Sequence, residues 1–168
     1  MPLHKTTSYR TQRGLTLVEL MVTVAVLAIL ASIGIPGFQA LVAQNRATST
    51  ANDLLASLQF ARSAAIANGQ DITVCPGATD CTSGGQWEGG WIVLGEDGSG
   101  NPEILRAQAS PGSSIDIDGA EEWVFSNTGT LEGQTIIDFD IQVASAERTV
   151  CMSLAGNARI IDGDETCP

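Results

Sequence analysis

Residues 15–35, LTLVELMVTVAVLAILASIGI, form a run of 21 residues that is apolar almost throughout, with one carboxylate, Glu19, near its start. At about 1.5 Å per residue, a helix of this length spans roughly 31 Å, the thickness of a bilayer core. Such a segment must lie in lipid or be covered by other apolar surface. Lys5, Arg10 and Arg13 precede it and no acid does. That asymmetry keeps the start of the helix on the cytoplasmic side and exports the rest.

An ordinary secretory signal is the plain alternative. Its apolar core is shorter, about 7–15 residues, and a small-x-small cleavage site follows it. AILASIG could pass for such a site, but the run is too long and Glu19 argues against it. A carboxylate in a membrane helix costs about 2.5–3.5 kcal/mol even on the lenient insertion scale. A mere anchor has no reason to bear that cost, so Glu19 is a functional candidate in need of a partner. Cleavage after Gly14 would supply one. Leu15 would then carry a free α-amine four residues before Glu19, on the same helix face. The carboxylate could pair with its own amine or with that of a neighbouring subunit, since either charge left alone in apolar surroundings is costly.

The chain has 168 residues and a net charge of −11. Beyond the apolar run the only cations are Arg46, Arg62, Arg106, Arg148 and Arg159, against nineteen carboxylates if Glu19 is counted. Such a body repels nucleic acid and anionic lipid unless a local basic patch overrides the field. The plain consequence is solubility of the exported part.

Four cysteines, Cys75, Cys81, Cys151 and Cys167, suggest disulfides in a small exported domain. A zinc site would need tighter ligand pairs and usually histidine, yet the single histidine, His4, lies before the apolar run. Three pairings are possible, and proximity favours Cys75–Cys81 with Cys151–Cys167. The absence of any later histidine also removes histidine-activated nucleophiles, so no enzyme is expected. No cofactor or metal is expected either. Asp97, Ser99 and Asn101 alternate like a calcium loop, but no distal glutamate completes it, and the IDGDE stretch at 161–165 is similarly incomplete.

The helix should continue past the apolar run. Leu54, Leu58, Ala61 and Ala65 recur at helical spacing, with Ala51, Leu55 and Arg62 nearby, and Asn68-Gly69 is a stop signal. Pro36 lacks an amide donor and is flanked by Gly34 and Gly37, so a kink or loosening is expected there. From Asp71 the pattern turns to short runs that read as strands: DITVC, GWIVLGE, EILRAQ, SIDID, EWVFS, TIIDFDIQV, RTVCMSL and ARIID. In TIIDFDIQV, Ile137, Phe139, Ile141 and Val143 face one way and Asp138, Asp140 and Gln142 the other. The expected fold class is α+β, with a long N-terminal helix packed on an antiparallel β head. The expected segments are a leader at 1–14, a transmembrane or filament-core helix at 15–36, its amphipathic continuation at 37–68 and the head at 69–168. Trp87, Trp91 and Trp123 read as head core rather than a ligand platform.

RGLTLVEL, with basic residues before it and Pro36 ending the apolar run, resembles the class III signal of type IV pilins and type II secretion pseudopilins. Gly14 precedes the cut, Leu15 follows it, Glu19 is the fifth mature residue and Pro36 the twenty-second. Leu15 stands where the family usually has phenylalanine. LLASLQFARSAAIANGQDITVC, WEGGWIVLGEDGSGN, WVFSNTGTL and VCMSLAGNARI are similar to successive phrases of the GspH/FimT branch. The resemblance implies cleavage after Gly14 by a prepilin peptidase, N-methylation of Leu15 and docking through Glu19. It implies a minor type IV pilin that primes or caps assembly. Its partners would be major and minor pilins or pseudopilins and an inner-membrane assembly platform, with the head in the periplasm before assembly. The alternatives are an H-type minor pseudopilin of type II secretion and a FimT-like DNA-uptake pilin. The latter uses a G-R-x-R motif, where this chain has Gly156-Asn157-Ala158-Arg159. With Arg159 as the single arginine of that motif, nucleic acid is disfavoured.

Overall fold

The computed structural model describes residues 14, 16–81, 86–133, 136–163 and 165–167, with only the backbone of Ile136 and Ile137. The basic residues before Gly14, Leu15 itself, the side chain of Ile137 and Asp164 of the acidic turn lie outside that set. Helix α1, Leu17–Asn68, is 52 residues long. Thr16 starts it. The Thr16 hydroxyl oxygen accepts from the Glu19 amide at 3.2 Å, and its carbonyl accepts from the Leu20 amide at 3.1 Å. Thr-x-x-Glu is a capping-box sequence, which satisfies amide donors that the first turn leaves without partners. Gly69 ends the helix. At φ +66° it donates its amide to the Ala65 carbonyl at 2.9 Å, in a left-handed conformation that a Cβ would penalise. Pro36 lies inside α1, which continues past it.

The chain divides into two units, Met1–Phe38 and Gln39–Pro168, and α1 contributes to both. In the first, every described residue is exposed, including Leu17, Met21, Ile29, Ile33 and Phe38. Its hydroxyls bond inward: Thr23 donates to the Leu20 carbonyl at 2.8 Å and Ser32 to the Ile29 carbonyl at 2.7 Å. A helix in apolar surroundings must satisfy its polar groups in this way.

The second unit pairs the rest of α1 with eight strands: β1 (Ile72–Pro76), β2 (Gly90–Glu96), β3 (Pro102–Ala109), β4 (Asp116–Asp118), β5 (Trp123–Phe125), β6 (Ile136–Val143), β7 (Ala146–Ser153) and β8 (Ala158–Asp162). They form two four-stranded antiparallel sheets, ordered β3-β2-β1-β5 and β4-β6-β7-β8. The chain thus enters the second sheet with β4, returns to the first with β5, and finishes in the second. On α1, Ala43, Ala47, Ala51, Leu54, Leu58, Ala61 and Ala65 are buried, a stripe at intervals of three and four residues. They share one core with Ile72, Val74 and Val93 of the first sheet and Phe139, Ile141 and Val150 of the second. On β6, Phe139, Ile141 and Val143 are buried while Asp138, Asp140 and Gln142 are exposed. The pleat thus sorts the strand into an apolar and a polar face.

All three tryptophans are buried core residues. The Trp87 indole donates to the Ala120 carbonyl at 3.0 Å, and the Trp91 indole to the Ser57 hydroxyl at 2.9 Å. Ser57 in turn donates to the Asp53 carbonyl of its own helix at 2.9 Å. Ser57→Ala should therefore leave the Trp91 N–H buried without an acceptor, at a cost of about 1–3 kcal/mol. Chemical denaturation of the full chain in detergent checks this; an unchanged midpoint would show that the bond is dispensable. Disulfides join Cys75 to Cys81 and Cys151 to Cys167, with Cα separations of 5.5 and 5.6 Å. The second ties the segment after β8 to β7.

Candidate functional site

Two places in the molecule carry more than packing. The first is the start of α1. Glu19 is the third helical residue, within the turn where unpaired amides and the helix dipole favour a negative charge. Gly14, Thr16 and Glu19 are all exposed. The cap at Thr16 was legible as T-x-x-E in the sequence, but the apolar run around it draws the reading toward membrane insertion alone. An 18-residue window of α1 reaches a mean hydropathy of 2.4 with no buried residue. This stretch is long and apolar enough to cross a membrane.

The second place is in the head, where three phrases distant in sequence meet. Arg62, from ARSAAI on α1, donates through Nε to the Gly129 carbonyl at 3.1 Å and through Nη1 to Asn157 Oδ1 at 3.2 Å. Gly129 belongs to the turn after β5 and Asn157 to the turn between β7 and β8. Gly156 sits at φ +75°, and a Cβ there would overlap the Gly129 carbonyl oxygen. The close approach of the two turns around Arg62 thus requires glycine at this position. Beside the junction lies a recess of about 370 Å³, lined by Gln59, Arg62, Ser63 and Ile66 of α1 with Gly156 and Asn157. Only the phrases, and not their meeting, are visible in the sequence.

The remaining candidates have structural partners or stand apart. Arg159 is exposed on β8. Asn157, which occupies the place of the first arginine of a G-R-x-R motif, is engaged by Arg62. Asp162 of the acidic turn pairs with Arg148 at 3.0 Å. Asp97 accepts from the Ser99 and Asn101 amides at 2.8 and 2.9 Å and from the Asn101 side chain. Those bonds, the Asn101 amide first, hold its carboxyl below the ordinary carboxylate range. The order that Asp97 gives this loop is lost only as pH falls through that lowered value. A second recess of about 310 Å³ has Trp87, Glu88, Asp116, Asp118 and Glu121 in its walls. Among the described residues no group of three or more side chains is placed to hold a metal ion.

Residues 50–156 match the family model described as type II transport protein GspH, and residues 9–35 match the prokaryotic N-terminal methylation motif. The type IV major fimbrial protein FimA of Dichelobacter nodosus is 28% identical over 113 residues, covering 66% of this chain and 61% of that protein. A fimbrial protein of Pseudomonas aeruginosa is 40% identical over 63 residues, covering 38% of this chain and 40% of that protein. The chain thus spans between 40% and 61% of the length of these curated relatives. Among solved structures, the type IV minor pilin FimU of Pseudomonas aeruginosa aligns with a TM-score of 0.58 at 25% identity, covering 72% of this chain and 92% of that one. The minor pseudopilin EpsH from the type 2 secretion system of Vibrio cholerae aligns with a TM-score of 0.54 at 16% identity, covering 71% and 99%. That second likeness is one of fold.

Proposed function

Because the chain belongs to the family of the type II transport protein GspH, a family of minor pilins and pseudopilins, we propose that it is a minor subunit of a type IV pilus. The observation that carries the choice of pilus is the likeness to FimU, at 25% identity over nearly all of that chain. In this reading a prepilin peptidase cuts between Gly14 and Leu15 and methylates the Leu15 amine. The apolar first part of α1 is a single-pass anchor in the inner membrane, with the head in the periplasm. During assembly, at a membrane platform, the same segment leaves lipid for a bundle of helices from major and minor subunits. Pro36, which cannot close its own helical hydrogen bond, loosens the helix at the end of that segment. Glu19 sets register by pairing with an N-terminal amine as the subunit docks. The disulfided head faces outward and supplies specific contacts at the tip, where the subunit primes or caps the filament. The role is structural, with no catalytic step.

The second reading is the H-type minor pseudopilin of a type II secretion system. It is favoured by the family model's own description and by the EpsH fold. DNA uptake has only Arg159 in its support. A deletion strain scored for twitching and for exoprotein secretion separates the first two. Loss of twitching with normal secretion is expected; loss of secretion with normal piliation would overturn the choice. Mass spectrometry of the mature subunit should find methylated Leu15 at the N-terminus, and any other terminus would remove the basis for the Glu19 pairing.

A further inference from the structure

Resting on that reading of the chain as a filament subunit, we propose that the recess beside Arg62 is the head's docking point for a carboxylate of the adjacent subunit. Arg62 is half-buried, and its Nε and Nη1 both donate to neutral oxygens. Nη2 has no acceptor among the described residues, and the only ion pair among them is Arg148 with Asp162. In a chain with nineteen carboxylates, Arg62 is thus held without a counter-charge among the described residues. Arg46 and Arg106 also bond neutral acceptors, Ser114 Oγ and the Ala56 carbonyl, but neither lines this recess. Asn157 turns its oxygen to Arg62, which leaves its amide nitrogen as a second donor. Gln59 on the rim carries a third, and exposed Ile66 gives an apolar wall. A half-buried guanidinium with amide donors around it suits a planar carboxylate, because the charge-assisted bonds are strong and geometrically specific.

The charge of the head decides which anion. A nucleic acid gains affinity by meeting several cations, and this recess offers one on a strongly acidic body. A carboxylate on a neighbouring subunit does not arrive by free diffusion. Helix association brings the heads together first, so the contact forms at high effective concentration despite long-range repulsion.

The test returns the full-length chain, original or variant, to a strain from which its gene has been deleted. Arg62→Gln is expected to lower incorporation about tenfold, while Arg62→Lys, which keeps the charge but loses the fork, is expected to lower it less, by roughly threefold. Melting of both variants in detergent supplies the structural control, since both lose bonds to Gly129 and Asn157. Arg62→Glu should be rescued by a lysine replacing one acidic residue of an adjacent subunit. Equal incorporation of Arg62→Gln and the original chain overturns the proposal. So does incorporation that follows melting temperature in both variants, which would make Arg62 only a staple. Duplex DNA binding by the full chain that Arg62→Gln abolishes would assign the recess to nucleic acid instead. A deletion strain that assembles normally sinks the subunit reading and this proposal together. A deletion defect fully restored by Arg62→Gln sinks the proposal alone.

Discussion

Phe139→Ala is expected to cost the head about 3–5 kcal/mol, among the largest effects of any single substitution in the chain. Phe139 is fully buried on β6. Its ring stacks on Trp123 of β5 with centroids 4.3 Å apart and meets the edge of Trp87 at 4.7 Å. The ring therefore bridges the two sheets. Its other flank lies against Gly119, where a Cβ would overlap it. The surrounding groups are two large indoles and a backbone segment, which cannot collapse into the space an alanine would leave. The cavity term then adds to the lost transfer energy. For a head of this size the midpoint of thermal unfolding should fall by roughly 10–20 °C. Phe139→Leu keeps most of the volume and should lose much less. If the alanine variant melts within a few degrees of the original, the aromatic bridge is not what holds the sheets together.

Glu19→Gln should leave cleavage and methylation intact and still lower incorporation by roughly a hundredfold or more. Two explanations of this carboxylate compete. In the first turn of α1 the Glu19 backbone amide donates to the Thr16 hydroxyl, and a side chain at this position that only supports the cap can be glutamine nearly as well as glutamate. As the partner of an N-terminal amine in a filament core, it cannot be replaced by a neutral amide, because the amine would be left uncompensated in apolar surroundings. Thr16→Ala removes the cap at a cost of about 1 kcal/mol and should leave incorporation almost unchanged. A glutamine variant that assembles normally would assign Glu19 to the cap and remove its docking role.

Much of this molecule is written locally. The apolar run and the N-terminal methylation motif are contiguous stretches. The stripe on α1 repeats at helical spacing, and each of the eight runs from Asp71 on that read as strands overlaps one observed strand. These features depend on the period of the side chains and on turn residues a few positions away, so the order of amino acids displays them directly. The disulfides join cysteines only 6 and 16 residues apart, so short loops already made these pairings favourable.

The order of the strands is a different matter. β4 and β5 have three residues each, too few for a side-chain period to say which sheet they join. Only the closing of one core around α1 sends β4 to the second sheet and β5 back to the first. The Arg62 junction is the sharpest case, since its bonds span 67 and 95 residues of chain. The sequence by itself determined an apolar leading helix, an acidic β head and an N-terminal methylation motif, because each follows from neighbours along the chain. The tertiary structure alone decided which turns meet at Arg62 and which neutral oxygens it bonds. Such contacts depend on how the whole core packs, and no local period encodes them.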